Sequence, residues 1–238
     1  MSYIYLIRHA QAGSRDNYDV LSEHGHLQAR LLGEHFVRQK TEFAAVYSGS
    51  MRRQRHTAEI ALDVCAQAGL AVPDIITEGR WDEFSLASVY RAIASRMMAA
   101  DEAFARDFRE MQEALRRDPH TTRGATGRCD AAVIRAWMEN RYPDYAGESW
   151  EAFHARILSC IAAPPSYADE RPIAVFTSAT PVAIIAGAAL GLTQEKLMSI
   201  LGVIYNSSLT VVRAREGELR LFTFNSTPHL DDALRTFR

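Results

Sequence analysis

Short apolar runs separated by longer amphipathic stretches set the rhythm of this chain. Tyr3-Ile4-Tyr5-Leu6-Ile7 lacks the polar alternation of a half-exposed strand and predicts a buried one. Ser22 precedes a stretch in which Leu27, Leu31, Leu32 and Phe36 repeat at helical spacing. Ala44-Ala45-Val46-Tyr47 reads as a second strand. From Met51 to about Ala68, Thr57, Ile60, Ala61 and Val64 recur on a helical face, and Gly69 stops it. Ile75-Ile76-Thr77 is a weaker third strand. Residues from about 86 to 142 are rich in Ala, Arg, Met and Glu, contain no strand pattern and break around Pro119 to Gly127. They read as a helical insertion. The strand–helix pattern then resumes with a helix from about Ser149, a buried strand at Ile173-Ala174-Val175-Phe176 and an Ala-rich helix from Pro181 to Leu190. Leu209-Thr210-Val211-Val212 and Leu219 to Phe224 flank Glu216-Gly217 as a hairpin. Such alternation implies a layered α/β fold with a largely parallel sheet.

Composition narrows the function classes. The 238 residues carry 27 basic and 29 acidic side chains, a net charge of −2 with histidine neutral. That balance argues against a nucleic-acid partner, which calls for a strongly basic face. No run approaches the ~20 apolar residues of a membrane span. Cys65, Cys129 and Cys160 show neither zinc spacing nor an even count, so reduced thiols are expected. The N-terminal apolar run is too short for a secretion signal, and the expected location is the cytoplasm. Length fits one domain over 1–238 with an insertion at about 86–142.

Ligands of parallel sheets gather at the carboxyl ends of strands, and those ends carry the chemistry. After the first strand come Arg8 and His9, and after the second a block from Ser48 to Thr57 containing Arg52, Arg53 and Arg55. After the third come Trp81, Asp82 and Glu83, and after the fourth Thr177 to Thr180. Arginines in the first turn of a helix oppose its macrodipole, which makes sense where an anion docks on the free amides. A histidine nucleophile, arginines for phosphoryl oxygens and a carboxylic acid for the leaving alcohol describe a phosphoryl-transfer site. Guanidinium groups supply the positive charge, so neither metal nor cofactor is expected.

Five segments in order carry a resemblance. Leu6-Ile7-Arg8-His9-Ala10-Gln11 resembles an Arg-His-Gly signature, and Leu21-Ser22-Glu23-His24-Gly25 with Gln28-Ala29 an LSExGxxQA segment. Tyr47 to Arg53 through Thr57-Ala58 is similar to an SSPLxRAxxTA block. Gly147-Glu148-Ser149 with Phe153 and Arg156, and Phe224-Asn225 with His229-Leu230, complete the series. These are the marks of the histidine phosphatase superfamily, also called phosphoglycerate mutase-like. The resemblance implies a three-layer αβα sandwich around a mostly parallel sheet. It implies His9 as nucleophile forming a phosphohistidine, Arg8 and Arg53 as phosphoryl clamps, and Glu83 as proton donor. Ser14 and Arg15 lie in the next loop, where Arg15 is a candidate phosphate contact.

Two positions depart from the pattern. Ala10 stands where glycine is usual, a strain if the backbone there has positive φ. Ser178 stands where a second catalytic histidine is usual, replacing a charged donor with a neutral one. The expected activity is therefore slow or specialised phosphomonoester hydrolysis. The alternative is a pseudo-phosphatase that binds a phosphorylated ligand or protein. The expected partner is a phosphorylated small molecule or phosphoprotein, with room for a homodimer and no nucleic acid or membrane. Arg91, Arg96, Arg123 and Arg128 in the insertion are either a second anion site or solvated.

Overall fold

The computed structural model describes residues 3–119, 121–162, 171–215 and 218–237. Six strands form one sheet in the order β3-β2-β4-β1-β5-β6. These are β1 (Tyr3–Arg8), β2 (Ala45–Ser48), β3 (Ile75–Thr77), β4 (Ile173–Thr177), β5 (Leu209–Arg215) and β6 (Glu218–Ser226). The first four run parallel, and β5 and β6 add antiparallel. Glu216 and Gly217, the expected hairpin turn, lie outside the described residues.

Alternation along the central strands divides the core between two faces. Ile7 pairs with Phe176 and joins a buried cluster with Val46 and Ala174, closed by α1 (Glu23–Gln39) and α2 (Arg52–Gln67). Leu6 pairs with Val175, so both point the opposite way, and both are buried. The apolar α7 (Ala179–Leu190) packs against β1, β5 and β6. It is buried along most of its length, so little amphipathic signal survives in it. The result is an αβα fold around a mostly parallel sheet.

Helix boundaries follow their caps. The Ser22 hydroxyl accepts from the Gly25 amide at 3.0 Å and starts α1. Thr193 does the same for α8 (Gln194–Leu201) through the Lys196 amide. The buried face of α1 is not the expected leucine stripe, because Leu27 is exposed and Gln28, Ala29, Leu32 and Phe36 are buried. Buried Gln28 is fully employed: its Oε1 accepts from the Gln11 amide at 2.8 Å, and its Nε2 donates to the Leu234 carbonyl at 2.7 Å. The three cysteines are thiols outside any disulfide, and burial pushes the Cys65 and Cys160 thiols up to about 11.

Contacts divide the chain into two compact units, Met1–Glu83 with Arg156–Arg238, and Phe84–Ala155. The second contains α3 (Leu86–Ala100), α4 (Glu102–Arg117) and α5 (Ala125–Met138), with the first turns of α6 (Trp150–Ala162). Phe84 stacks on Trp137 at 4.4 Å, and Trp150 and Phe153 complete that aromatic cluster. Here Arg96 binds both carboxylate oxygens of Asp144, and Arg128 those of Asp107. Two of the four arginines considered for a second anion are thus already paired. Among the described residues no helix is long and apolar enough to cross a membrane.

Candidate active site

His9 follows the last residue of β1, and its backbone is fixed from several sides. Its amide donates to the Thr177 carbonyl at 2.8 Å, tying it to the end of β4. Its carbonyl accepts from the Asn206 side chain at 3.1 Å and the Ser207 amide at 3.3 Å. The next amide, of Ala10, donates to Thr57 Oγ1 at 3.0 Å, and that hydroxyl donates to the Arg53 carbonyl at 2.7 Å. One threonine on α2 therefore couples the strand end at His9 to Arg53. Ala10 is fully buried and has no positive φ, so the methyl group there costs no backbone strain.

The ring of His9 has a defined tautomer. Nδ1 lies 2.8 Å from the Ala10 carbonyl, which can only accept, so the proton sits on Nδ1. Nε2 accepts from Arg53 Nε–H at 3.1 Å, so it carries the lone pair. Burial, then the charges of Arg53 and Arg8, hold His9 well below the usual histidine value, and the ring is neutral.

Arg8 is equally buried. One of its terminal nitrogens donates to the carbonyls of Ile204 and, at 2.8 Å, Phe237. Burial pulls its guanidinium below the ordinary value, while Tyr18 and the Glu83 carboxylate act against that shift. Of the three arginines after β2, Arg53 is buried and points to His9, whereas Arg52 and Arg55 are exposed. Arg55 pairs with Glu59 one turn on.

The loop after His9 contributes residues that strand-end reasoning missed. The Asp19 carboxylate accepts from the Arg52 amide at 3.1 Å and the Arg53 amide at 3.4 Å, and pairs with Arg53 Nη1 at 3.0 Å. An anion thus caps the arginine-rich start of α2, and the chain itself supplies it. The Tyr18 ring lies edge-on to His9 at 6.1 Å and under the Arg53 guanidinium at 4.8 Å. Arg15 opens a 3-10 turn (Arg15–Asn17) in the same loop, half-buried.

Glu83 and Ser178 meet at the start of α7. Ser178 is its N-cap residue, yet its hydroxyl makes no cap bond. The Glu83 carboxylate takes the Thr180 amide instead, at 3.1 Å. The turn before Glu83 is held by Arg156, which donates to the carbonyls of Arg80 at 2.7 Å and Asp82 at 3.2 Å. Gln54 Nε2 donates to Ser178 Oγ at 2.9 Å. His229 does not substitute at that position, because its Nε2 pairs with Ser207 Oγ at 2.9 Å. His56 packs on His26. Among the described residues no cluster of His, Cys, Asp or Glu is arranged to hold a metal ion.

The structure brings together His9, Arg8, Arg53 and Glu83 by direct contact or close charge, and Ser178 joins through β4 and Gln54. The family described as histidine phosphatase superfamily (branch 1) matches residues 4–135 and 120–227. No curated protein matches the chain. Among solved structures, YhfR of Bacillus stearothermophilus is 19% identical with a TM-score of 0.65, covering 96% of this chain and 99% of that one. A putative alpha-ribazole-5'-P phosphatase from Escherichia coli is 16% identical at 0.61, covering 95% and 98%. A mycobacterial glucosyl-3-phosphoglycerate phosphatase with inorganic phosphate is 21% identical at 0.59, covering 97% and 100%. At these identities the likeness speaks for the fold.

Proposed function

The chain belongs to the histidine phosphatase superfamily, and from that premise we propose that it hydrolyses phosphomonoesters through a phosphohistidine at His9. The observation that carries this reading is the tautomer of His9. A neutral imidazole protonated on Nδ1 presents Nε2 as nucleophile, and Arg53 stands at that same nitrogen.

In the first step the Nε2 lone pair attacks phosphorus, the N–P bond forms and the P–O ester bond breaks. Glu83, in its protonated form when the ester binds, gives its proton to the departing alkoxide. In the second step Glu83 takes a proton from water, whose oxygen attacks phosphorus. The N–P bond breaks, and inorganic phosphate and neutral His9 remain. Arg8 and Arg53 carry the positive charge that the phosphoryl oxygens meet throughout. Ser178 adds a neutral donor, which fits a slow or specialised enzyme acting on a phosphorylated small molecule in the cytoplasm. Arg15 is proposed as a further contact with substrate from the loop after His9.

The test is steady-state hydrolysis of an aryl phosphate. The wild-type protein is expected to turn over and His9→Ala to lose about 10³-fold or more, as removal of a nucleophile does elsewhere. Equal rates in the two proteins contradict the reading. Phosphate or vanadate binding without turnover supports a pseudo-phosphatase instead.

A further inference from the structure

Ser178 is not the sole change in its neighbourhood. The block that Tyr47 to Ala58 resembles carries serine where this chain has Gly49 and alanine where it has Gln54. These two positions and Ser178 meet in space. Gln54 is fully buried, and its Nε2 donates to Ser178 Oγ at 2.9 Å and to the Trp81 carbonyl at 3.3 Å. A Cβ added at Gly49 would overlap Gln54 Oε1 and approach Asp82 Oδ1 to 2.6 Å, so the carboxamide is seated there because residue 49 has no side chain. One glycine admits the glutamine, and the glutamine meets the serine that replaces histidine.

The direction of the hydrogen bond gives the arrangement its chemistry. An amide N–H can only donate, so Ser178 Oγ accepts from Gln54 and keeps its own proton. The Thr180 amide, which an N-cap serine could otherwise engage, is taken by Glu83. No acceptor among the described residues takes the Ser178 proton. His9 lies one strand away, its amide bonded to the carbonyl of Thr177, the residue before Ser178.

We propose that Gln54 is a positioning residue for phosphoryl transfer, holding Ser178 Oγ as an acceptor so that its O–H donates to the phosphoryl group at His9. Gly49, Gln54 and Ser178 together then stand in for one imidazole. The inference rests on the hydrolase reading above and adds the way a neutral donor is kept useful. A histidine placed at 178 alone would compete with the Gln54 carboxamide for space, so restoration requires both positions.

The experiment is a double-mutant cycle on kcat with an aryl phosphate, each variant checked for unchanged thermal unfolding. Ser178→Ala is expected to lower kcat by about 10- to 100-fold, near the lower end of what loss of one transition-state donor costs. Gln54→Ala is expected to lower it by roughly tenfold in the wild-type background and to do nothing further beside Ser178→Ala. A purely structural glutamine would lower kcat equally in both backgrounds. Ser178→His with Gln54→Ala is expected to exceed Ser178→His alone by at least about tenfold and to add a titrating limb to the pH–rate profile. Additive effects, or a Ser178→His single variant faster than wild type, overturn the positioning role while leaving the hydrolase intact. A wild-type protein without turnover overturns the hydrolase reading and this proposal with it.

Discussion

At His9, two hydrogen bonds decide which nitrogen is available, and the neighbouring loop decides what else meets Arg53. Asp19 places a carboxylate on the guanidinium that the hydrolase reading assigns to the phosphoryl group. It both completes the helix start and repels an incoming dianion. Asp19→Asn is therefore expected to tighten vanadate inhibition roughly fivefold, since one like charge at close range in a watery site is worth about 1 kcal/mol. The same change should lower the melting temperature by roughly 2–4 °C, as about 1 kcal/mol of N-terminal charge interaction is lost. Weaker vanadate binding in that variant would show that Asp19 serves the ligand site and does not oppose it. Residues at this scale were unevenly legible. Strand-end position pointed to Arg8, His9, Glu83 and Ser178 because a strand delivers its next residue to a fixed edge. Asp19 and Tyr18 arrive from a loop with no period to read. Gln54 lies 124 residues from Ser178, and nothing local reveals that contact.

Elements were legible where burial and sequence pattern coincide. β4 is buried on both faces and β1 along most of its length, so their uninterrupted apolar runs marked them plainly. In α1 the start was clear from Ser22, but the buried face was not. A leucine count favoured Leu27, while the fold buries Gln28 because its amide joins the loop after His9 to the C-terminal segment. A polar side chain can lie in a core when every group is paired, and composition alone does not show that pairing. Gln28→Leu keeps the volume but strands the Gln11 amide, while the Leu234 carbonyl keeps only its longer contact with His24 Nε2 at 3.3 Å. Thermal or urea unfolding should report a loss of about 1–3 kcal/mol, near the cost of one unpaired backbone group. A loss below ~0.5 kcal/mol would mean that the two segments find other partners.

Across the whole molecule, a near-zero net charge averages over a buried positive cluster of Arg8 and Arg53 around a neutral histidine. Buried neutral histidines also set the acid response. Burial, with His35 and Arg38, pushes His229 down to about 3 from 6.5, and His9 is depressed as well. The unfolded chain binds protons on these rings from about pH 6.5 downward while the folded chain does not. Stability is therefore fully present above about pH 6.5 and is lost as pH falls toward 3. Melting temperatures measured between those pH values should fall steadily, and His229→Asn should flatten the slope. An unchanged slope would place the acid response in other groups.

The phosphohistidine itself is the most direct measurement. Wild-type protein mixed with an aryl phosphate, quenched in base within milliseconds and digested, should yield one peptide heavier by a single phosphoryl group. Fragmentation should place that group on His9, with Nε2 as the linked nitrogen by phosphorus NMR. Turnover without any phosphoryl on His9, or the same label persisting in His9→Ala, would contradict the account.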